Sequence, residues 1–142
     1  MRIGSLMKWT HFPEPQFGGD KKSRWFICLG QTDFSIDPKN FYFHSTTRQE
    51  NGQGRKFCFL KHNYPKFTYD CFLYYNEPPY SRSEYFISQH VGNIEELCFI
   101  SNEDIKIIYE GIRRYSISYS RKILLDIHNS LNLIGITGLH KP

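Results

Sequence analysis

Up to residue 100 the apolar positions come in short runs divided by Pro, Gly and charged residues; beyond it they recur at helical spacing. SLMKWTHF (5–12) alternates loosely and carries aromatic residues, which predicts a strand; PEPQFGGDKK (13–22) predicts a Pro/Gly loop. RWFICLG (24–30) is a continuous apolar run, the pattern of a strand covered on both faces. TDFSIDPKN reads as a turn, FYFHSTT (41–47) as the next strand and RQENGQGRK (48–56) as a polar loop. FCFLKH and YDCFLYY read as strands split by NYPK, NEPPYSRS as a further loop, and EYFIS and LCFI as the last strands.

From residue 101 the period changes. Ser101 is a good N-cap, with Glu103 and Asp104 favourable in the first helical turn. Ile105, Ile108 and Ile112 then fall at i, i+3 and i+7, on one face of a helix. SRKILLDIHNSLNLIGITG repeats the arrangement through Ile123, Leu124, Ile127 and Leu131, with Gly135 as a stop. These elements predict a mainly β fold with C-terminal helices: a small, strongly bent antiparallel sheet of about six or seven strands, capped by two helices. Residues 1–142 are expected to form one domain, strand-rich over 1–100 and helical over 101–142.

Composition narrows the class. Hydrophobic residues are 39% and charged residues 23% of the chain, a globular balance. Aromatics reach 17%, which favours strands; Phe26, Phe41, Phe43, Phe57, Phe59 and Tyr74 fall in strand patterns and are expected in the core. No stretch approaches the roughly 18 to 20 apolar residues of a membrane span, so no membrane partner is expected. MRIGSLMKWTHF lacks the apolar block of a signal peptide. Cys28, Cys58, Cys71 and Cys98 lie in apolar surroundings without a CxxC pair. They predict small buried residues of a reduced, cytoplasmic protein and no zinc site.

Charge is uneven. Residues 1–66 hold eleven Lys/Arg against five Asp/Glu (+6), residues 67–100 one against five (−4), and residues 101–142 six against four (+2). A basic N-terminal half suits a polyanion, nucleic acid first, although a solvated basic surface reads the same way. GGDKKSRWFICLG (18–30) places the last of its cations, Arg24, at the joint between loop and strand, where a strand start holds the guanidinium in a fixed direction. HSTTR (44–48) sets hydroxyls beside a cation at another strand end, an arrangement able to bind phosphate by charge and hydrogen bonds together. Lys21, Lys22, Arg24, Arg48, Arg55 and Lys56 form the expected RNA-binding surface. His11, His44, His62 and His90 could each move a proton, and His44, in HSTTR at the strand end, is also an expected RNA contact. No HxH or HExxH spacing is present, so no metal and no cofactor is expected. An enzyme without either can still cleave RNA, because the 2′-hydroxyl supplies the nucleophile; the protein orients the phosphate, moves a proton and stabilises added charge.

The order of these pieces resembles the MazF/PemK family of toxin ribonucleases. The resemblance is carried by Gly4, MKWTHFPEP, FGGDKKS, Arg24 with WFICLG, and FYFHSTTRQ, and more loosely by HVGNIEELCFISNEDIKIIYEGI. The family has proline after the arginine; here Trp25 stands there. The resemblance implies an SH3-like barrel, a homodimer, a cognate antitoxin, and metal-independent cleavage of single-stranded RNA to a 2′,3′-cyclic phosphate and a 5′-hydroxyl. It implies Arg24 as the catalytic arginine and Thr46, or its neighbour Thr47, as the catalytic threonine. The alternative from another class is a non-catalytic relative that binds nucleic acid, or inhibits an enzyme as the structurally similar CcdB toxins act on gyrase.

Overall fold

Parity along the strands decides which side chains meet. A computed structural model of the chain describes residues 2–14, 22–33, 38–48, 50 and 54–142. Among them are seven strands: β1 (Ser5–Trp9), β2 (Arg24–Gln31), β3 (Asn40–Ser45), β4 (Lys56–Phe59), β5 (Cys71–Tyr74), β6 (Tyr80–Ser83) and β7 (Ile94–Phe99). Five of them form an antiparallel sheet in the order β6-β3-β2-β1-β7, while β4 and β5 pair as a separate hairpin. An isolated bridge between Thr47 and Phe72 links the two. No ladder joins β6 to β7 among the described residues, so the strands make two sheets rather than one closed barrel.

Because side chains alternate along a strand, each face of the large sheet collects its own set. Ile27 and Leu29 of β2 and Tyr42 of β3 face the C-terminal helices α2 (Asn102–Tyr115) and α3 (Arg121–Leu133), joining Phe59, Leu73, Ile105, Ile108, Ile127 and Leu131 in the larger core. Phe26, Cys28, Phe41 and Phe43 point the other way and pack with Met7, Trp9, Phe12 and Ile87. As expected, Phe26, Phe41, Phe43, Phe59 and Tyr74 are buried; Phe57 is half-buried. Ser101 caps α2 by accepting from the Asp104 amide, and Ser120 caps α3 through Ile123. Gly30 lets α3 approach β2 closely: a Cβ there would stand 3.0 Å from Ile127 Cα and 3.1 Å from Ser130 Oγ. The same serine accepts from the Gln31 amide at 3.0 Å and donates to its carbonyl at 3.1 Å.

Two segments differ from the sequence expectation. EYFIS is not a strand but the short helix α1 (Glu84–Ser88): Ser83 accepts from the Phe86 amide as N-cap, and Glu84 occupies the first turn. A run this short carries no period long enough to separate strand from helix, and the cap decides it. NEPPYSRS is not all loop, because its second half is the edge strand β6, entered directly after Pro78 and Pro79. Of the four free cysteines only Cys28 and Cys71 are buried; Cys58 is exposed and Cys98 half-buried. No described helix is long and apolar enough to cross a membrane.

Candidate nucleic-acid interface

Arg24 opens β2 opposite Trp9 and is exposed. Among the described residues its guanidinium has no hydrogen-bond or ion-pair partner. β3 ends beside it. The Thr46 amide donates to the Trp25 carbonyl at 3.0 Å, extending the β2–β3 pairing by one step. The Thr46 hydroxyl reaches that same carbonyl only at 3.4 Å, a long contact that costs little to give up. Thr47 exchanges backbone hydrogen bonds with Phe72, at 2.9 and 2.7 Å, which anchors the hairpin to the sheet at this point.

Arg24, Thr46 and Thr47 form a ridge between two clefts, each of about 480 Å³, and line both. The first cleft is basic. Among the described residues Lys22, Arg24 and Arg48 border it and no Asp or Glu does, and Trp25, Phe67 and Tyr69 supply its aromatic surface. The Arg48 guanidinium lies over the Tyr69 ring at 5.1 Å, and Trp25 packs on Phe67 at 5.7 Å between centroids. Cations interleaved with rings suit a single strand, whose phosphates meet the charges while its bases stack.

The second cleft is aromatic and of mixed charge. Phe12, Phe26, Phe72, Tyr74 and Tyr80 line it together with Pro78 and Pro79. Its cations Arg24 and Arg82 face the carboxylates Glu14 and Glu77. Glu14 is committed: Arg82 Nε donates to it at 2.7 Å, a second guanidinium nitrogen of Arg82 pairs with its other oxygen, and the Tyr80 hydroxyl donates at 2.9 Å. The Arg82 guanidinium holds the Glu14 carboxyl below the usual carboxylate range. Burial, and then the Glu14 hydrogen bond, push the Tyr80 hydroxyl up.

The structure thus brings together Lys22, Arg24, Thr46, Thr47 and Arg48, and it sets the other predicted residues apart. Lys21 lies outside the described residues. Arg55 lies over the Tyr115 ring of α2 at 4.3 Å, and Lys56 is 3.6 Å from Glu50; neither lines either cleft. His44 is corrected as an RNA contact, because it is completely buried. It follows Tyr42 by two residues, so strand parity turns it toward the helices. Its Nε2 is 2.8 Å from the Tyr74 carbonyl, which can only accept, so Nε2 carries the proton. Nδ1 therefore accepts from the Tyr119 hydroxyl at 2.5 Å. Burial pushes the imidazole down to about 4, which keeps it neutral in this role.

Sequence reasoning missed Glu14, Tyr74, Glu77, Tyr80 and Arg82 as cleft residues. The signal was present in PEP and NEPPYSR: prolines flanking a carboxylate, then Tyr80 and Arg82 two apart, which places both on one face of a strand. Among the described residues no three His, Cys, Asp or Glu side chains are grouped as metal ligands. The chain matches no protein-family model and no curated protein sequence.

Proposed function

We propose that the chain is an endoribonuclease that cleaves single-stranded RNA by attack of the substrate's own 2′-hydroxyl, without a metal ion, as the resemblance to MazF/PemK toxins implies. One observation carries the proposal: Arg24 and the threonine pair share a ridge, and a cleft bordered, among the described residues, by three cations and no carboxylate opens from it. The 2′-oxygen bonds to phosphorus as the P–O5′ bond breaks, the 2′-hydroxyl giving its proton to solvent water and the leaving 5′-oxygen taking one from it, to a 2′,3′-cyclic phosphate and a 5′-hydroxyl. As the phosphodiester passes to five-coordinate phosphorus, negative charge builds on its non-bridging oxygens. Arg24 offers those oxygens a planar fork of cationic donors. Thr46 adds a hydroxyl, and Lys22 and Arg48 hold the flanking phosphates. In this proposal the SH3-like barrel of the family corresponds to the two sheets acting as one curved surface, which the Thr47–Phe72 bridge supports. A homodimer and a neutralising antitoxin come with the same resemblance.

The test is cleavage of a long single-stranded RNA in EDTA. Arg24→Ala is expected to lose about 10² to 10³ in rate, as removal of a preorganised donor typically does, and Thr46→Ala or Thr47→Ala at least about tenfold. Circular dichroism serves as the folding control. A folded Arg24→Ala that cuts as fast as the parent refutes the proposal. Binding without cleavage by the parent chain supports the non-catalytic alternative instead.

A further inference from the structure

The aromatic cleft differs from the basic one in a way that bears on substrate choice. Among the described residues its two guanidinium groups are balanced by two carboxylates, so these leave no net attraction for phosphate, whereas its rings offer π-faces to a planar neutral group. At about 480 Å³ it is of the size that encloses small planar ligands. It shares the Arg24 ridge, so a nucleotide whose phosphate sits on the ridge can place its base there. Glu14 is occupied by Arg82 and Tyr80. The exposed Glu77 side chain, by contrast, has no partner among the described residues.

We propose that this cleft is a guanine-selective nucleobase pocket whose specificity determinant is the Glu77 carboxylate; this rests on the RNA-cleaving function proposed above. A carboxylate presents two acceptors side by side and no donor. Among the four RNA bases only guanine presents two adjacent N–H groups, N1–H and N2–H, on its Watson–Crick edge. Adenine, cytosine and uracil each set an acceptor next to their donor, and that acceptor would face a carboxylate oxygen. In single-stranded RNA this edge is open to the protein. Glu77 follows Tyr74 in a turn closed by its own amide, which donates to the Tyr74 carbonyl at 3.1 Å, and Pro78–Pro79 stiffens the chain after it. The carboxylate is thus carried on a restrained backbone beside an aromatic wall.

The experiment measures binding of short, fluorescently labelled 2′-O-methyl A-tracts carrying one central guanine, adenine, cytosine or uracil. The methyl group removes the nucleophile, so binding is read without cleavage. The guanine oligomer is expected to bind about tenfold to a hundredfold more tightly than the other three, the range of a bidentate base contact. Glu77→Gln, on an exposed turn, keeps the shape but sets an amide donor against one guanine N–H, and is expected to remove the preference. Salt-dependent binding of all four oligomers with equal affinity overturns the pocket and leaves the ribonuclease function standing. A guanine preference that survives in folded Glu77→Gln also overturns the proposal, because guanine is then read elsewhere. Failure to bind any of the four overturns the RNA function itself, and the pocket with it.

Discussion

Lowering the pH should strip stability from this protein through one side chain, His44. Its imidazole is completely buried, and burial lowers it from 6.5 to about 4. The folded state therefore resists protonation over a range in which the unfolded chain accepts it. Stability from this group is complete above about 6.5 and is lost as pH falls through that value to about 4, beyond which no more is lost. A fall from 6.5 to about 4 corresponds to about 3 kcal/mol. That is a large fraction of the roughly 5 to 15 kcal/mol that holds a domain together. His44→Phe isolates the contribution. It keeps an aromatic ring but leaves the Tyr119 hydroxyl without its partner, at about 1 to 3 kcal/mol, while the Tyr74 carbonyl keeps the Glu77 amide. Carboxylates titrate alike in both proteins and cancel in the difference. Urea unfolding of parent and variant from pH 7 down to pH 4 should show the parent's advantage shrinking by about 3 kcal/mol. Two stability curves that run parallel across that window would refute the reasoning.

Two more expectations follow from where the cations and the close contacts lie. Arg48 borders the basic cleft and Arg55 does not, so Arg48→Ala should weaken single-stranded RNA binding and flatten its log–log salt slope by about 0.7, while Arg55→Ala leaves the slope unchanged; equal effects in a salt titration would contradict this placement. Gly111 lies against the Tyr75 ring, and a Cβ there would collide with it, so Gly111→Ala should cost about 1 to 3 kcal/mol by overpacking despite the higher helix propensity of alanine; undiminished stability in urea would show that Tyr75 moves aside freely.

The helices were the most legible part of the sequence, because long periodic stretches with serine caps leave few alternatives: Ser101 and the Ile105/Ile108/Ile112 face appear in the structure as read. β2 was equally plain, and Arg24 does stand at its first residue. What stayed hidden depends on neighbours that no local pattern records. EYFIS turned helical through a single cap on Ser83. His44 belongs to the buried face of β3 rather than to the hydroxyl strand end that it precedes, a matter of parity counted from Tyr42. The aromatic cleft joins residues from loops and strands far apart in sequence, Glu14 with Arg82 above all, and only the pairing of β3 with β6 explains how that edge comes to face the start of β2.

The ridge of Arg24, Thr46 and Thr47 serves as a wall to both clefts, so if both take parts of one RNA strand as proposed, occupation of one is expected to bear on the other. A group seated on one side fixes side chains that the other side also uses, and the ordering it imposes is then already present when the second group arrives. By linkage the effect is reciprocal: whatever factor the first ligand adds to the affinity of the second, the second returns to the first. Substitutions on opposite flanks, such as Arg48 and Glu77, therefore do not report independent energies when they are combined, because both are read through the same three residues. On the RNA function proposed above, the expected binding unit of this surface is a dinucleotide spanning the ridge, and neither half measured alone gives its affinity.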